Sequence, residues 1–487
     1  MTPVRFRWTV ANVQKRHKAQ GLNLSVFSLG ISNSWASPVL PLLRGAGAAG
    51  AEGGEGVAGD AGDAGGEGVE VLAHPATDAQ VSWMLSVVFV SIFFGSFIIA
   101  YLQHQLGRKT CLLLGSAPRL IGYSVLLAGS EPWHLIVARL FVGFGDAFSF
   151  SVVPVYSSEV ASKEIRGRLG TIMQLMTNLG AVFCLAAGPY LSYRMFNLSI
   201  LIMVLVTTVP MLFLLDSPYY LFSKGRTNEA HKILTFLRGE ETLADKEILE
   251  YEQLKNKENK IVLSEVLRSK NVIKSLLIGS ALGFLLHFQG TLVIGSYLQS
   301  ILESAQTGIA PELSSVFFGL LQLVASISGT VISEKFRRKL IMTCSLLTLA
   351  LGMIFLGIFF RFLDLGYEVA GVLSVLPHLA LFMILFGYNA GLGALIIPVI
   401  GELFEGPARA IGNACFLFSC TISCNLVIWL YPLMTSLVGR DGPYWVFATG
   451  ALVFMVYILC FIPETRGKTF AEIQVEFGKD TPGGGKD

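Results

Sequence analysis

The sequence predicts an all-α membrane protein with twelve transmembrane helices in two six-helix halves and a helical linker between them. Three observations lead there. Of the 487 residues, 53% are hydrophobic and only 14% are charged, where a soluble domain would carry roughly 25% charged residues. Apolar segments close to the ~20 residues needed to cross a bilayer recur along the whole chain. A charge pattern at the exit of one such segment also returns late: Glu159 is followed seven residues later by Arg166, and Glu402 seven residues later by Arg409. A pattern repeated at equivalent helix ends points to two related halves.

Residues 1–20 form a basic tail (Arg5, Arg7, Lys15, Arg16, Lys18) ahead of the first apolar segment. No small-residue cleavage site follows that segment, so it reads as a retained span rather than a signal peptide. The N-terminal half, 21–215, holds spans expected at 21–42, 82–102, 110–129, 133–157, 169–191 and 196–215. The C-terminal half, 273–465, holds spans expected at 273–299, 313–333, 340–361, 374–400, 410–435 and 443–462, with a polar tail over 466–487. The loop 43–80 is Gly/Ala-rich and acidic (Glu52, Glu55, Asp60, Asp63, Glu67, Glu70). It has too little bulky apolar surface to fold and is expected to be a disordered, solvated insert. The linker, 216–272, mixes charges of both signs, and 227–257 carries Ala230, Ile233, Leu234, Leu237, Ile248, Leu249 and Leu254 at helical spacing, an amphipathic helix pattern. Asn197-Leu198-Ser199 has the form of a glycosylation sequon, but it lies too close to the membrane to be trusted.

Lys and Arg gather on one side: Arg108-Lys109, Lys163, Arg166, Arg168, the linker, Lys335 to Lys339, and Arg409. The positive side of a membrane protein is cytoplasmic, which places both termini inside. The plasma membrane is the expected location. A net charge of only +2 suggests no nucleic-acid partner. The seven cysteines show no CxxC spacing and sit in or beside apolar segments, as buried free thiols do. There is no Walker loop, no metal-ligand cluster and no nucleophile-base pair in a known context. No enzyme activity, cofactor or metal is expected. The expected partners are a small-molecule solute and the lipid bilayer.

The charged motifs resemble those of the major facilitator superfamily and, within it, the sugar porters. Arg139, Pro154-Val155-Tyr156, Glu159 and Arg166-Gly167 resemble the family's fourth-span signature. Asp216 to Leu221 followed by Lys224-Gly225-Arg226 resembles its motif after span six, and Pro463 to Gly467 its closing motif. Gly107-Arg108-Lys109 resembles its turn between spans two and three. Trp35-Ala36-Ser37-Pro38, Ser82-Trp83 and Leu191 to Asn197 resemble the insect branch that includes facilitated trehalose transporters. The resemblance covers nearly the whole chain. It implies the major facilitator fold and facilitative sugar transport by alternating access.

Arg and Glu at helix ends can form ion pairs across neighbouring helices that close a gate and must break to open it. Arg108, Glu159, Arg166 and Arg226 are expected to form such a network in the N half. Arg338, Glu402, Arg409 and Glu464 are expected to do so in the C half, with Glu334 as the acid kept between spans eight and nine. Arg139 is also expected in this gating and ion-pair network; it belongs within or at the edge of the bilayer, where a static topology anchor is a poor explanation.

The substrate site departs from the family. Its span-seven amide motif is reduced to Leu286-His287-Phe288-Gln289-Gly290-Thr291-Leu292. Its Pro-rich span ten becomes Gly391-Leu392-Gly393-Ala394-Leu395-Ile396-Ile397, with Asn389 in place of an acid and Pro398 left to supply a kink. The candidate contacts are Gln174, which matches the family's sugar-binding Gln, with Gln322, His287, Gln289 and Asn389. Two roles stay open for Gln322: substrate contact, or an interhelical hydrogen bond. His287 is either a satisfied core histidine or a pore-facing ligand. Asp146 is an extra acid in mid-span, where a charge costs roughly 2.5–3.5 kcal/mol on insertion scales. It is either a proton-coupling carboxylate or a residue bonded to a neighbour such as Asn178 or Gln174. The rivals to facilitative sugar transport are therefore a proton-coupled or non-sugar transporter using Asp146, and a receptor-like relative that transports nothing.

Overall fold

A backbone in hydrocarbon must satisfy its own N–H and C=O groups, and helices do so within one segment. The computed structural model describes residues 24–44, 74–160, 166–258, 270–369, 371–403 and 407–464. Among them every regular element is a helix. Eleven helical spans are long and apolar enough to cross a bilayer: Asp78–Leu106, Arg108–Ala128, Pro132–Val160, Ile172–Tyr190, Tyr193–Phe213, Val272–Ser304, Pro311–Ser333, Arg338–Asp364, Leu373–Ile400, Ile411–Val438 and Gly442–Phe461. Span one is helical over 24–34 and Ala36–Arg44, with a turn at Trp35. At 1.5 Å per residue it is about 31 Å long, enough for the ~30 Å hydrocarbon layer. It supplies the twelfth helix, and the linker separates six spans from six.

Local chemistry sets the boundaries. Thr77 and Gln80 form a reciprocal capping box at the start of span two, and Asp78 in its first turn complements the helix dipole. Gly107 ends that span with φ +87, and a Cβ there would lie 2.8 Å from the Tyr220 ring, so the tight turn into span three needs glycine. Span seven was expected as one helix over 273–299. It is broken instead into Lys270–Phe288 and Thr291–Ser304. The break sits at Gly290, whose φ is +82 and where a Cβ would meet the Phe447 ring at 2.5 Å.

The linker's amphipathic stretch is two helices, Thr227–Arg238 and Glu241–Glu258, preceded by a short one at Pro218–Ser223. Gly239, with φ +85, ends the first. Leu221, Phe222, Ala230, Leu234, Ala244 and Tyr251 form a small core of their own. Arg238 fixes this unit to span four: it holds Glu247 at 2.7 and 2.8 Å and donates to the Val160 carbonyl at 3.0 Å. The linker thereby marks one end of the bundle, here called the linker face.

Of the loop 43–80, residues 43–44 and 74–80 are described: 43–44 end span one, and Asp78 opens span two. The rest of that loop and the two tails lie outside the described residues. Asn197 is fully buried in span six, accepting from Trp35 Nε1 at 2.9 Å and donating to the Tyr193 carbonyl at 2.9 Å. The sequon asparagine is therefore a core group.

Candidate functional site

Helices approach closely where small residues face each other. A Cβ on Gly30 of span one would lie 1.9 Å from the Thr177 carbonyl oxygen of span five. A Cβ on Gly319 of span eight would lie 3.3 to 3.4 Å from Leu185 and Val182. A Cβ on Gly329 would lie 2.7 Å from the Ala390 carbonyl oxygen of span ten. Spans one, five, eight and ten are thus drawn together at the seam between the halves.

Four polar side chains meet at that seam. Asn178 is twelve residues beyond Arg166 in span five, about 18 Å along the axis and so near mid-membrane. Its Nδ2 donates to Asn389 Oδ1 at 3.1 Å, to the Gln322 carbonyl at 3.2 Å and to Ser326 Oγ. Its Oδ1 accepts from Gln174 Nε2 at 3.3 Å. Asn389 lies in a π-helical turn, Tyr388–Leu392, and its own amide donates to the Leu385 carbonyl at 2.9 Å. That π turn interrupts span ten where the family's prolines are missing; such turns often mark functional positions. Gln174 and Asn389, two candidate contacts, therefore share one cluster. Gln322 joins it through its carbonyl, and its partly exposed side chain makes no hydrogen bond among the described residues.

The span-seven candidates are placed differently. Gln289 is buried; its amide donates to the Leu286 carbonyl at 3.0 Å and to Thr291 Oγ1 at 2.5 Å, and its Oε1 accepts from Thr291 N at 3.2 Å. It splints the helix break. His287, two residues earlier, is partly buried and makes no side-chain hydrogen bond among the described residues.

Asp146 has a partner that the sequence analysis did not name. Neither Asn178 nor Gln174 holds it. Arg119 of span three donates to Asp146 Oδ1 from Nε at 2.9 Å and to Ser149 Oγ from Nη2 at 2.5 Å. Ser149 in turn reaches the Ser25 carbonyl of span one at 3.4 Å. Both charged side chains are at most 2% exposed. Gly145 makes room, since a Cβ there would sit 2.4 Å from Arg119 Cγ. A mid-membrane acid calls for a buried base, and Arg119, alone in an apolar stretch, was the signal available.

Arg139 is also buried. It donates to the Ser32 carbonyl at 3.0 Å, to Ser32 Oγ at 3.4 Å and to the Met84 carbonyl at 3.4 Å, and it lies 5.0 Å over the Trp35 ring. It is twenty residues from Glu159 on the same helix, about 30 Å away. It ties spans one, two and four together and does not touch the linker-face charges.

At the linker face, Arg108 pairs with Glu159 Oε1 at 2.7 Å, and Ser217 donates to Glu159 Oε2 at 2.5 Å. Ser217 also caps the helix Pro218–Ser223, so one hydroxyl links the capped linker to span four. Arg226, expected in this network, pairs instead with Glu229 at 2.6 Å, with both side chains about half exposed. That pair raises the Arg226 pKa and, through the guanidinium hydrogen bond, lowers that of Glu229. In the C half, Glu464 accepts from the backbone N–H groups of Arg338 at 3.1 Å and Lys339 at 3.3 Å, an acid at a helix N-terminus. The side chains of Arg166, Glu334, Glu402 and Arg409 lie outside the described residues.

The family model described as "Sugar (and other) transporter" matches residues 36–477. The chain belongs to that family. It is 28% identical over 428 residues to "Solute carrier family 2, facilitated glucose transporter member 6" of Mus musculus, covering 82% of each chain. It is 24% identical over 418 residues to "Facilitated trehalose transporter Tret1" of Polypedilum vanderplanki, covering 83% of this chain and 81% of that one. Among solved structures it resembles a partially occluded inward-open conformation of the xylose transporter XylE from E. coli. There the TM-score is 0.75 at 18% identity, over 94% of this chain and all of that one. That likeness shows the fold, a bundle of membrane-spanning helices.

Proposed function

We propose that this member of the sugar transporter family carries a sugar, a hexose or a trehalose-like disaccharide, downhill by alternating access of its two halves. The observation that carries this reading is the amide cluster of Gln174, Asn178 and Asn389 at mid-membrane on the seam between the halves. Amides that both donate and accept suit the hydroxyls of a sugar, and transporter sites lie near the midplane at the interface of the repeats. The glucose and trehalose transporters among its relatives support the same class of solute.

The pairing of Asp146 with Arg119 supports uniport, because protonating the carboxylate would leave a buried guanidinium without its counter-ion. The ion pairs described at the linker face stay within single halves. The two halves meet elsewhere, at mid-depth and toward the opposite face: the Gln299 backbone N–H donates to Ser37 Oγ, and Trp83 packs on Trp429 and Phe93 on Phe418. The excess of basic residues at the linker face supports reading it as the cytoplasmic face, with both termini inside and the plasma membrane as the expected location.

The test is uptake into liposomes of purified protein, with labelled glucose, fructose, trehalose and a polyol, with and without a proton gradient. Saturable uptake of one sugar, insensitive to the gradient, is expected. Folded protein that moves none of them would overturn the sugar assignment, and gradient-dependent uptake would overturn uniport.

A further inference from the structure

Asn178 is the only amide of the cluster that crosses the seam by itself among the described residues. It leaves span five of the N half and reaches two spans of the C half. An Asn amide nitrogen carries two N–H groups, yet three acceptors converge on this one: Asn389 Oδ1, the Gln322 carbonyl and Ser326 Oγ. The acceptors outnumber the donors, so at least one acceptor is left to share a proton. Ser326 and Asn389 are both buried, at 4% exposed. A solute hydroxyl, which both donates and accepts, can exchange for one of these shared contacts.

The surrounding backbone narrows the space further. Gly319 brings span eight against Val182 and Leu185, one and two turns beyond Asn178, and Gly329 brings it against Ala390, next to Asn389. A side chain shorter than Asn would take the Asn178 donor away from both Asn389 Oδ1 and Ser326 Oγ.

We propose that Asn178 is a latch across the central seam and the specificity-determining residue of the solute site. With the site empty, its amide occupies Asn389 and Ser326 and holds spans five, eight and ten together. A solute enters by substituting for that contact: one hydroxyl donates to Asn389 Oδ1 or Ser326 Oγ while accepting from Asn178 Nδ2. Only a ligand with a hydroxyl pair spaced to reach both sides can both open the latch and replace its hydrogen bonds. This deepens the proposed function and rests on it for the identity of the solute; the latch itself does not.

Two measurements test it separately. The first needs no transported solute. Ser326→Cys is made alone and together with Asn178→Ala, and the rate of modification at that position by a small methanethiosulfonate reagent is followed by peptide mass spectrometry in proteoliposomes. Removing the Asn178 amide is expected to raise the rate about tenfold. An unchanged rate overturns the latch, whether or not any sugar is carried. The second is the kinetics of uptake of the sugar that the wild type carries. Asn178→Ala is expected to raise KM about tenfold, more than it changes the maximal rate, and to narrow the discrimination between glucose and trehalose. Asn178→Gln, which keeps the amide, recovers part of the affinity. A fall in maximal rate with KM and discrimination unchanged would assign Asn178 a purely structural role and overturn the specificity claim. Size-exclusion elution of each variant shows that the folded protein is being compared.

Discussion

Arg119 donates to Asp146 at 2.9 Å between spans three and four, and both side chains are shut away from solvent and lipid. The pair gives the N half a fixed polar node, which Ser149 extends to the backbone of span one. Breaking one side of such a pair leaves an unpartnered buried charge, which costs about 3–5 kcal/mol, while replacing both sides with apolar groups is often close to neutral. Arg119→Met and Asp146→Leu are each expected to lower the thermal midpoint of the purified protein sharply. The double variant should recover most of the loss. Single effects that simply add would mean that the two residues act independently.

The Glu159 carboxylate is held from both sides, by Arg108 and by Ser217. Glu159→Gln keeps the shape but removes the charge that Arg108 pairs with. A hydrogen bond to a charged group contributes roughly 1.5–3 kcal/mol, so about a tenfold fall in uptake at equal surface expression is expected. Ser217→Ala removes both the contact and the helix cap, and should lower stability by about 1 kcal/mol. Uptake by Glu159→Gln equal to that of the wild type would take Glu159 out of the gating cycle.

Much of this was legible in sequence because bilayers impose strong constraints. Apolar length alone located the spans, and the charge motifs marked the end of the bundle at which Arg108, Glu159 and Glu464 lie. The failures have a common physical cause. Arg226 shares a motif with the gate residues, but Glu229 is one turn away and local pairing wins. Gln289 sits in the stretch that matches a substrate motif, but a break at Gly290 requires its amide for Thr291. Ser217 and Ser326 are small hydroxyls with no distinctive sequence context, and only the packing shows what they touch. Asn178 was visible one turn from Gln174, but its reach across the seam depends on how closely spans five and eight pack.

Asn197 gives the simplest check on the fold. A sequon asparagine with no exposed surface, bonded through its side chain to Trp35, cannot receive a glycan. Enzymatic deglycosylation of protein expressed in insect cells should leave the mass of the peptide containing Asn197 unchanged. Asn197→Ala removes the acceptor for a buried indole N–H, which costs about 1–3 kcal/mol, so a measurable fall in thermal stability is expected. A glycan found at this position would contradict the packing of spans one and six.

Gly290 is the sharpest backbone constraint in the C half. Its φ of +82 is disfavoured for any residue with a Cβ, and that Cβ would enter the Phe447 ring at 2.5 Å. The backbone strain costs about 1–3 kcal/mol and the overpacking a similar amount. Gly290→Ala should therefore reduce the yield of folded protein more than Gly295→Ala, whose added Cβ would meet nothing within 4 Å. Measured against Phe447→Ala alone, which lacks the Cγ and Cδ2 that the new Cβ would meet, adding Gly290→Ala keeps the dihedral strain but loses most of the clash, so partial rescue is the expected result. Full rescue would assign the whole cost to packing, and no rescue would assign it to the backbone at the break in span seven.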